Sequence, residues 1–263
     1  MLLKDKTAVI YGATGAVGSA MARAFAREGA HLHLAARDLH RLEVFAREIA
    51  FNGGRVETAV VDASDENALE SHLDRIIEVS GKLDISFNAT GIPQPGIQGI
   101  PLAELPVESF MRPVTAYTRS HFLTARAAAR RMAPRKSGVI LMHTPEPARS
   151  GAPLIGGMGP AWAAMEGLNR DLAAELGPLG IRTICLRSTG LPETETITVV
   201  FGLHAKAIGM PREQFQSLME GMTYHRRSTT LKELTDAGVF AASDLGSGLV
   251  GTVLNLTAGK STD

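Results

Sequence analysis

The chain has 263 residues, and its 27 lysines and arginines balance 27 aspartates and glutamates, so the formal net charge is zero. A nucleic acid or an anionic membrane would favour a basic excess, so this balance argues against both as partners. The single cysteine, Cys185, excludes a disulfide framework and a multi-thiolate site, and it fits a reducing compartment. No segment approaches the roughly 18 consecutive apolar residues of a membrane span. We therefore expect a soluble cytoplasmic protein, and no metal site is predicted.

Short apolar segments alternate with longer amphipathic ones along the chain. Strands are predicted at residues 7–11, 31–35, 55–61, 84–88, 139–143, 182–187 and 253–256. Helices are predicted at residues 17–28, 39–52, 66–80, 114–132, 160–176 and 231–242. Strands separated by helices of this length need crossover connections, which make the strands parallel. The pattern therefore predicts an α/β fold with a doubly wound parallel sheet of about seven strands and helices on both faces.

Residues 190–227 interrupt this alternation with threonine-rich and methionine-rich stretches. They predict one or two short helices that form a lid insertion near the carboxyl edge of the sheet. No linker or internal repeat divides the chain, so residues 1–263 are predicted to form a single domain.

Glycines are concentrated between the first predicted strand and the first helix. Gly12, Gly15 and Gly18 occur there, with Thr14 and Val17 between them. Glycines at this place let the backbone turn tightly and approach a pyrophosphate, whose charge the helix N-terminus stabilises. A purely structural turn is the alternative. The position inside a β-α-β unit favours a dinucleotide-binding turn made by these five residues.

Several further segments give the chain a family resemblance. The turn is similar to the T-G-x-x-x-G-x-G motif of the short-chain dehydrogenase/reductase family, with Ala16 in place of the middle glycine. Asp62-Ala63 resembles the family's D-V pair, and residues 88–91, Asn-Ala-Thr-Gly, resemble its N-N-A-G segment. The resemblance implies a Rossmann-type single domain. It also implies cofactor contacts from Asp62, Ala63, Asn88, Ala89 and Gly91.

The end of the second predicted strand bears on cofactor choice. Family members that prefer NAD carry an acid there, which binds the adenosine ribose, whereas this chain has Ala36 followed by Arg37. A guanidinium can pair with a 2′-phosphate through two charge-assisted hydrogen bonds. Arg37 as a solvated residue opening the next helix is the alternative. The resemblance and the charge together predict NADP(H) as the cofactor, held in part by Ala36 and Arg37.

The catalytic positions depart from the family pattern. Family members use a tyrosine and a lysine spaced Y-x-x-x-K, and the lysine lowers the pKa of the phenol so that it passes a proton. Alignment through residues 163–168 places Met158 at the tyrosine position and Trp162 at the lysine position, and no Y-x-x-x-K occurs anywhere in the chain. The family's serine position falls at Thr144 and its asparagine position at Tyr117.

Met158 and Trp162 are either core residues or an apolar wall of the nicotinamide cavity. The matching positions in the family face that cavity, which favours a substrate pocket lined by both side chains. An apolar small-molecule substrate is therefore expected.

Three functions remain open from the sequence. The first is a divergent NADP(H)-dependent oxidoreductase of an apolar carbonyl or alcohol, in which Thr144 polarises the carbonyl and Tyr117 or water supplies the proton. The second is a catalytically inactive NADP(H)-binding module, and the third is a regulatory or structural subunit of the same fold. Cofactor residues beside absent proton-transfer residues fit the first and the second about equally, and the resemblance to an enzyme family favours the first. The resemblance further implies a homo-oligomer, most simply a tetramer.

Overall fold

Alternating strands and helices in the computed structural model, which describes residues 1–262, form one parallel sheet with a helical layer on each face. Within those residues the sheet has seven strands in the order β3-β2-β1-β4-β5-β6-β7, and every neighbouring pair is parallel. The strands are β1 Thr7–Tyr11, β2 His31–Ala36, β3 Arg55–Val60, β4 Ile85–Asn88, β5 Gly138–Pro145, β6 Ile181–Ser188 and β7 Thr252–Leu256. The predicted Rossmann-type α/β fold is confirmed.

The helices connect successive strands and cover both faces of the sheet. They are α1 Ala16–Arg27, α2 Leu39–Phe51, α3 Glu66–Ser80, α4 Val107–Met132, α5 Met158–Leu176, α6 Glu195–Ala207, α7 Arg212–Gly221 and α8 Leu231–Ala242. Within the part of the chain that the structure describes, no helix is both long and apolar enough to cross a membrane.

Two apolar layers hold the helices on the sheet. Helices α1, α2 and α8 pack on one face around buried residues such as Phe25, Leu42 and Leu234. Helices α3, α4 and α5 pack on the other face, where Leu73 and Met165 are buried. Central strands therefore have no solvated face, which explains why β1 is apolar and buried throughout.

The sheet order reverses between β1 and β4, which are neighbours although two strands separate them in sequence. In open parallel sheets the crevice at such a reversal, beyond the carboxyl ends of the strands, is where ligands bind. The glycine turn follows β1 and Asn88 ends β4, so both lie at this crevice.

Helix α4 is longer than the sequence predicts, because it begins at Val107 instead of residue 114 and contains Pro113. A proline inside a helix removes one backbone hydrogen bond and normally disfavours the structure. Here Pro113 is buried, and a Cβ on Gly157 would lie 3.0 Å from its ring. Close packing against the start of α5 therefore accompanies the extra turns.

The segment at residues 190–227 contains two helices, α6 and α7, as predicted. They form a small apolar cluster of their own, in which the rings of Phe201 and Phe215 meet edge to face at 5.4 Å between centroids. The role of this segment as a lid stays a prediction.

Candidate cofactor and substrate site

The glycine turn after β1 is packed so closely that side chains do not fit. Gly12 has φ +70°, and a Cβ there would lie 2.8 Å from the carbonyl group of Ala89. A Cβ on Gly18 would lie 2.3 Å from the Gly12 oxygen. The two glycines thus allow α1 to start directly over the turn and the turn to touch the end of β4.

The N-terminus of α1 presents a site for an anion. Gly15 is the N-cap and supplies no side-chain hydrogen bond, and the first turn of the helix contains no acidic residue. The first backbone N–H groups of a helix have no partner within it and bear partial positive charge. Together with Thr14 and Val17, this turn has the geometry that a pyrophosphate requires.

Two arginines flank the turn on the β2 side. Arg37 is exposed directly after the buried Ala36, and it forms no hydrogen bond or ion pair among residues 1–262. Arg41, in the first turn of α2, extends toward the Thr14 carbonyl oxygen, with 3.5 Å between the two atoms. Asp38 is occupied in capping α2, since its carboxylate accepts from the Arg41 amide at 3.1 Å. Arg41 was missed in the sequence, although its place in the first turn of the helix predicted at residues 39–52 was a usable signal.

The residues after β3 and β4 complete this edge. Asp62 accepts a hydrogen bond from the Ser64 amide at 2.8 Å, and Ala63 beside it is buried. Asn88 is buried, donates to the Thr124 hydroxyl at 3.1 Å and accepts from the Thr90 amide at 2.9 Å. Asn88 therefore fixes the turn at residues 88–91, in which Ala89 is half-buried and Gly91 exposed.

The structure brings the predicted catalytic Tyr117 together with the two residues at the altered positions. Tyr117 and Trp162 have ring centroids 6.4 Å apart, and Met158, the first residue of α5, is fully buried in the same apolar cluster. Burial raises the pKa of the Tyr117 phenol, although the Ile92 backbone and the Trp162 indole stabilise its ionised form. The phenol consequently stays protonated at neutral pH and can donate a hydrogen bond.

Two histidines lie close to this cluster but carry no charge at neutral pH. Burial lowers the pKa of both His121 and His143 to about 4. The Nε2 atom of His143 lies 2.9 Å from the Ser188 hydroxyl, and the Nδ1 atom of His121 lies 3.0 Å from the Tyr117 carbonyl oxygen. Neither histidine therefore supplies the positive charge that the family's lysine carries at the position of Trp162.

The contacts of Thr144 differ from those expected of a residue that polarises a substrate. Its side chain is fully buried within β5, and its hydroxyl donates to Glu166 at 2.9 Å. Glu166 in turn accepts two hydrogen bonds from Arg187, at 2.8 and 2.7 Å. In this arrangement the Thr144 hydroxyl proton is engaged in a hydrogen bond within the protein. Strand alternation turns Thr144 toward Glu166 on α5, and its role in polarising a substrate carbonyl stays a prediction.

A charged pair at the same edge was missed in the sequence. Glu146, in the turn after β5, is buried and accepts from the Ser150 hydroxyl. Lys260, from the segment after β7, pairs with it at 3.3 Å. The turn lies against the start of α5, where a Cβ on Gly159 would be 3.5 Å from the Pro147 oxygen. No motif connects Glu146 and Lys260 in sequence, and only the sheet order brings them together.

A chain of side-chain hydrogen bonds connects α6 to the region around Tyr117. His204 contacts the Gln98 side-chain oxygen at 2.9 Å, and Gln98 donates to Gln94 at 2.6 Å. Gln94 donates to the Ile92 carbonyl oxygen at 2.7 Å, and the backbone of Ile92 adjoins the Tyr117 hydroxyl. Displacement of α6 would therefore disturb the surroundings of Tyr117.

Comparison with known proteins identifies the family of this chain. The family model described as enoyl-(acyl carrier protein) reductase matches residues 12–261. An uncharacterised oxidoreductase of Bacillus subtilis (strain 168) is 30% identical over 258 residues, which cover 98% of this chain and 91% of that protein. The chain belongs to the short-chain dehydrogenase/reductase family. Members of this family are oxidoreductases that bind NAD(H) or NADP(H) and act on small molecules.

More distant relatives show how widely the family varies. Momilactone A synthase of Oryza sativa subsp. japonica is 29% identical over 266 residues, covering 98% of this chain and 91% of that protein. Among solved structures, NAD+-bound xylitol dehydrogenase superposes with a TM-score of 0.92 at 24% identity, covering 98% and 100% of the two chains. At that identity the likeness concerns the fold alone.

Replacing Thr144 with valine tests the role of its buried hydroxyl. Thr144→Val removes one hydrogen bond to the Glu166 carboxylate, so we expect the free energy of unfolding to fall by about 1–3 kcal/mol. Urea denaturation measures this change, with Thr115→Val on the exposed side of α4 as the control. Binding of the nicotinamide cofactor should be unchanged. A variant that keeps its stability but loses all turnover would restore Thr144 as a catalytic residue.

Proposed function

We propose that this protein is an NADP(H)-dependent oxidoreductase that transfers hydride to or from an apolar carbonyl or alcohol substrate. The observation that carries the proposal is the pair of guanidinium groups, Arg37 and Arg41, beside the glycine turn. The apolar cluster that contains Met158 and Trp162 beside Tyr117 supports the choice of substrate class.

The arginine pair favours a phosphorylated ribose for electrostatic reasons. A 2′-phosphate adds close to two negative charges, which a carboxylate at position 36 would repel and two guanidinium groups attract. Ala36 supplies no carboxylate, and that of Asp38 is directed at the first turn of α2. NAD(H) lacks the phosphate, so the same arginines offer it no comparable ion pair.

The cofactor preference can be measured directly. We expect NADPH to bind more tightly than NADH, and Arg37→Ala and Arg41→Ala each to weaken NADPH binding by roughly tenfold or more, because each loses a charge-assisted contact. Binding of NADH should change little in either variant. Calorimetric titration measures all of these affinities.

Arg47→Ala provides the matched control, since Arg47 is an exposed arginine on the same helix, farther from the turn. Equal affinity of the wild-type protein for NADPH and NADH would contradict the proposed preference.

The chemistry has to proceed without the tyrosine and lysine pair. Tyr117 is the hydroxyl that we propose as proton donor, with bulk water as the other source. Loss of a tuned general acid lowers rates by roughly 10²–10⁴. Holding the nicotinamide against the substrate still provides a large rate advantage, because proximity alone replaces a bimolecular encounter. A slow but real hydride transfer is therefore proposed.

Introducing a tyrosine at position 158 and a lysine at position 162 tests whether these positions correspond to the family's catalytic pair. We expect Met158→Tyr alone to gain little, because no ammonium lowers the pKa of the new phenol. The double variant Met158→Tyr/Trp162→Lys should gain more than the sum of the single changes, since the two residues act as one unit. The measurement is kcat/KM with NADPH and an activated ketone.

The wild-type rate should show no alkaline decline below pH ~10, because burial holds the pKa of Tyr117 above the usual phenol value of about 10. NADPH binding and thermal melting verify that each variant folds, because both positions are buried. Abolition of a robust activity by Met158→Ala, with no gain in the double variant, would show that the placement is wrong.

A nucleotide-binding module without turnover is the second candidate. It is favoured by the full burial of Met158 and by the apolar side chain at position 162. Activity measurements with ketones, quinones and conjugated enones distinguish the two functions. Conjugated enones are included because peroxisomal 2,4-dienoyl-CoA reductase of Rattus norvegicus is 28% identical over 260 residues. Tight NADPH binding with no turnover in any assay would favour the module.

We also propose a homotetramer. Apolar side chains remain exposed on two separate surfaces, with Phe122 on α4 and with Phe240, Leu245 and Val250 around the edge strand β7. Burial of each surface by a second copy would remove it from water. Light scattering should give four times the chain mass of 27.9 kDa. A monomer mass would exclude the assembly.

A further inference from the structure

Three potential metal ligands lie together at the end of β2 farthest from the arginine pair. His31, His33 and Glu57 share one face of the sheet, and Glu57 on β3 is directly opposite His33 in the strand register. The Nε2 atom of His31 lies 3.3 Å from Glu57 Oε1, and Nδ1 of His33 lies 3.9 Å from Glu57 Oε2. The three ligand atoms are all within 4.8 Å of one another.

Ser80, the last residue of α3, fixes the two rings from the opposite side. Its hydroxyl oxygen lies 2.9 Å from Nε2 of His33 and 3.3 Å from Nδ1 of His31. One hydroxyl oxygen has two lone pairs and can accept an N–H from each ring. In that tautomer the remaining nitrogens, both of which face Glu57, carry lone pairs and no proton. Two lone pairs and a carboxylate converging on one point favour a cation between them.

The rings are neutral, as metal ligation requires. Burial lowers the pKa of His33 to about 4, and burial together with the charge of Arg55 lowers that of His31. Arg55 is exposed on β3, two residues from Glu57 and on the same face. Its positive charge repels a bound cation. Removal of Arg55 should therefore strengthen cation binding, whereas removal of a ligand should weaken it.

We propose that His31, His33 and Glu57 bind a divalent transition-metal ion, with Zn²⁺ as the ion that suits two imidazoles, one carboxylate and a water molecule. Zinc bonds of about 2.0–2.2 Å place tetrahedral ligands roughly 3.4 Å apart, so the side chains need to move by about 1 Å. The ion would connect β2 to β3 and, through Ser80, to α3. His31 and Ala36 are five positions apart on β2, or about 16 Å, so this site is distinct from the cofactor edge.

Calorimetric titration of the chelator-treated protein with Zn²⁺ tests the site. We expect one saturable site per chain in the wild type. Glu57→Gln and His31→Gln should each weaken binding by more than about 100-fold, because they remove a ligand, and Ser80→Ala by roughly 10–100-fold, because it frees the rings. Arg55→Gln should tighten binding. Zn²⁺ should also raise the melting temperature of the wild type and not that of Glu57→Gln.

His225→Ala is the control, because His225 is an exposed histidine in another part of the fold. The test does not depend on a variant of the buried His33, since Glu57 is 41% exposed and its replacement by glutamine preserves its shape. Absence of a saturable site in the wild type, or unchanged affinity in both Glu57→Gln and His31→Gln, would overturn the proposal.

Discussion

The carboxyl edge of this sheet depends on the contact between the glycine turn and the end of β4. Gly12 touches the Ala89 carbonyl group so closely that any Cβ would force the two strands apart, and Gly18 allows α1 to lie equally close to Gly12. Because β1 and β4 are adjacent where the strand order reverses, this contact defines the floor of the ligand crevice. Asn88 stabilises the β4 side by binding Thr90 and Thr124.

The two halves of the crevice differ in physical character. The half beside β2 is charged and exposed, with Arg37 and Arg41 next to the helix N-terminus. The half beside β5 is apolar around Tyr117, Met158 and Trp162. Burial there disfavours an isolated charge. The proposed nucleotide contacts are therefore charged, whereas the surroundings of the proposed proton donor are apolar.

The polar groups near β5 form a closed ion pair, whereas those on β2 form an open cluster. The Glu166–Arg187 pair is buried and satisfied by mutual hydrogen bonds, to which Thr144 adds another. This gives a closed structural unit, because both carboxylate oxygens already have donors. At the start of β2, the proposed metal site is open by contrast, since the Glu57 carboxylate is partly exposed between two imidazoles. The contrast follows from position in the sheet, since β6 is paired on both sides and β3 is an edge strand.

The sequence by itself determined the order of strands and helices along the chain, the glycine turn and the absence of Y-x-x-x-K. Periodicity and spacing are local properties that can be read directly from the sequence. Only the tertiary structure decided that Arg41 approaches Thr14 and that Thr144 faces Glu166, because a helix rotation and a strand register set those directions. The early start of α4 likewise reflects packing across α5 that no local rule contains. His31 and Glu57 are 26 residues apart in the sequence, and only the pairing of β2 with β3 makes them neighbours.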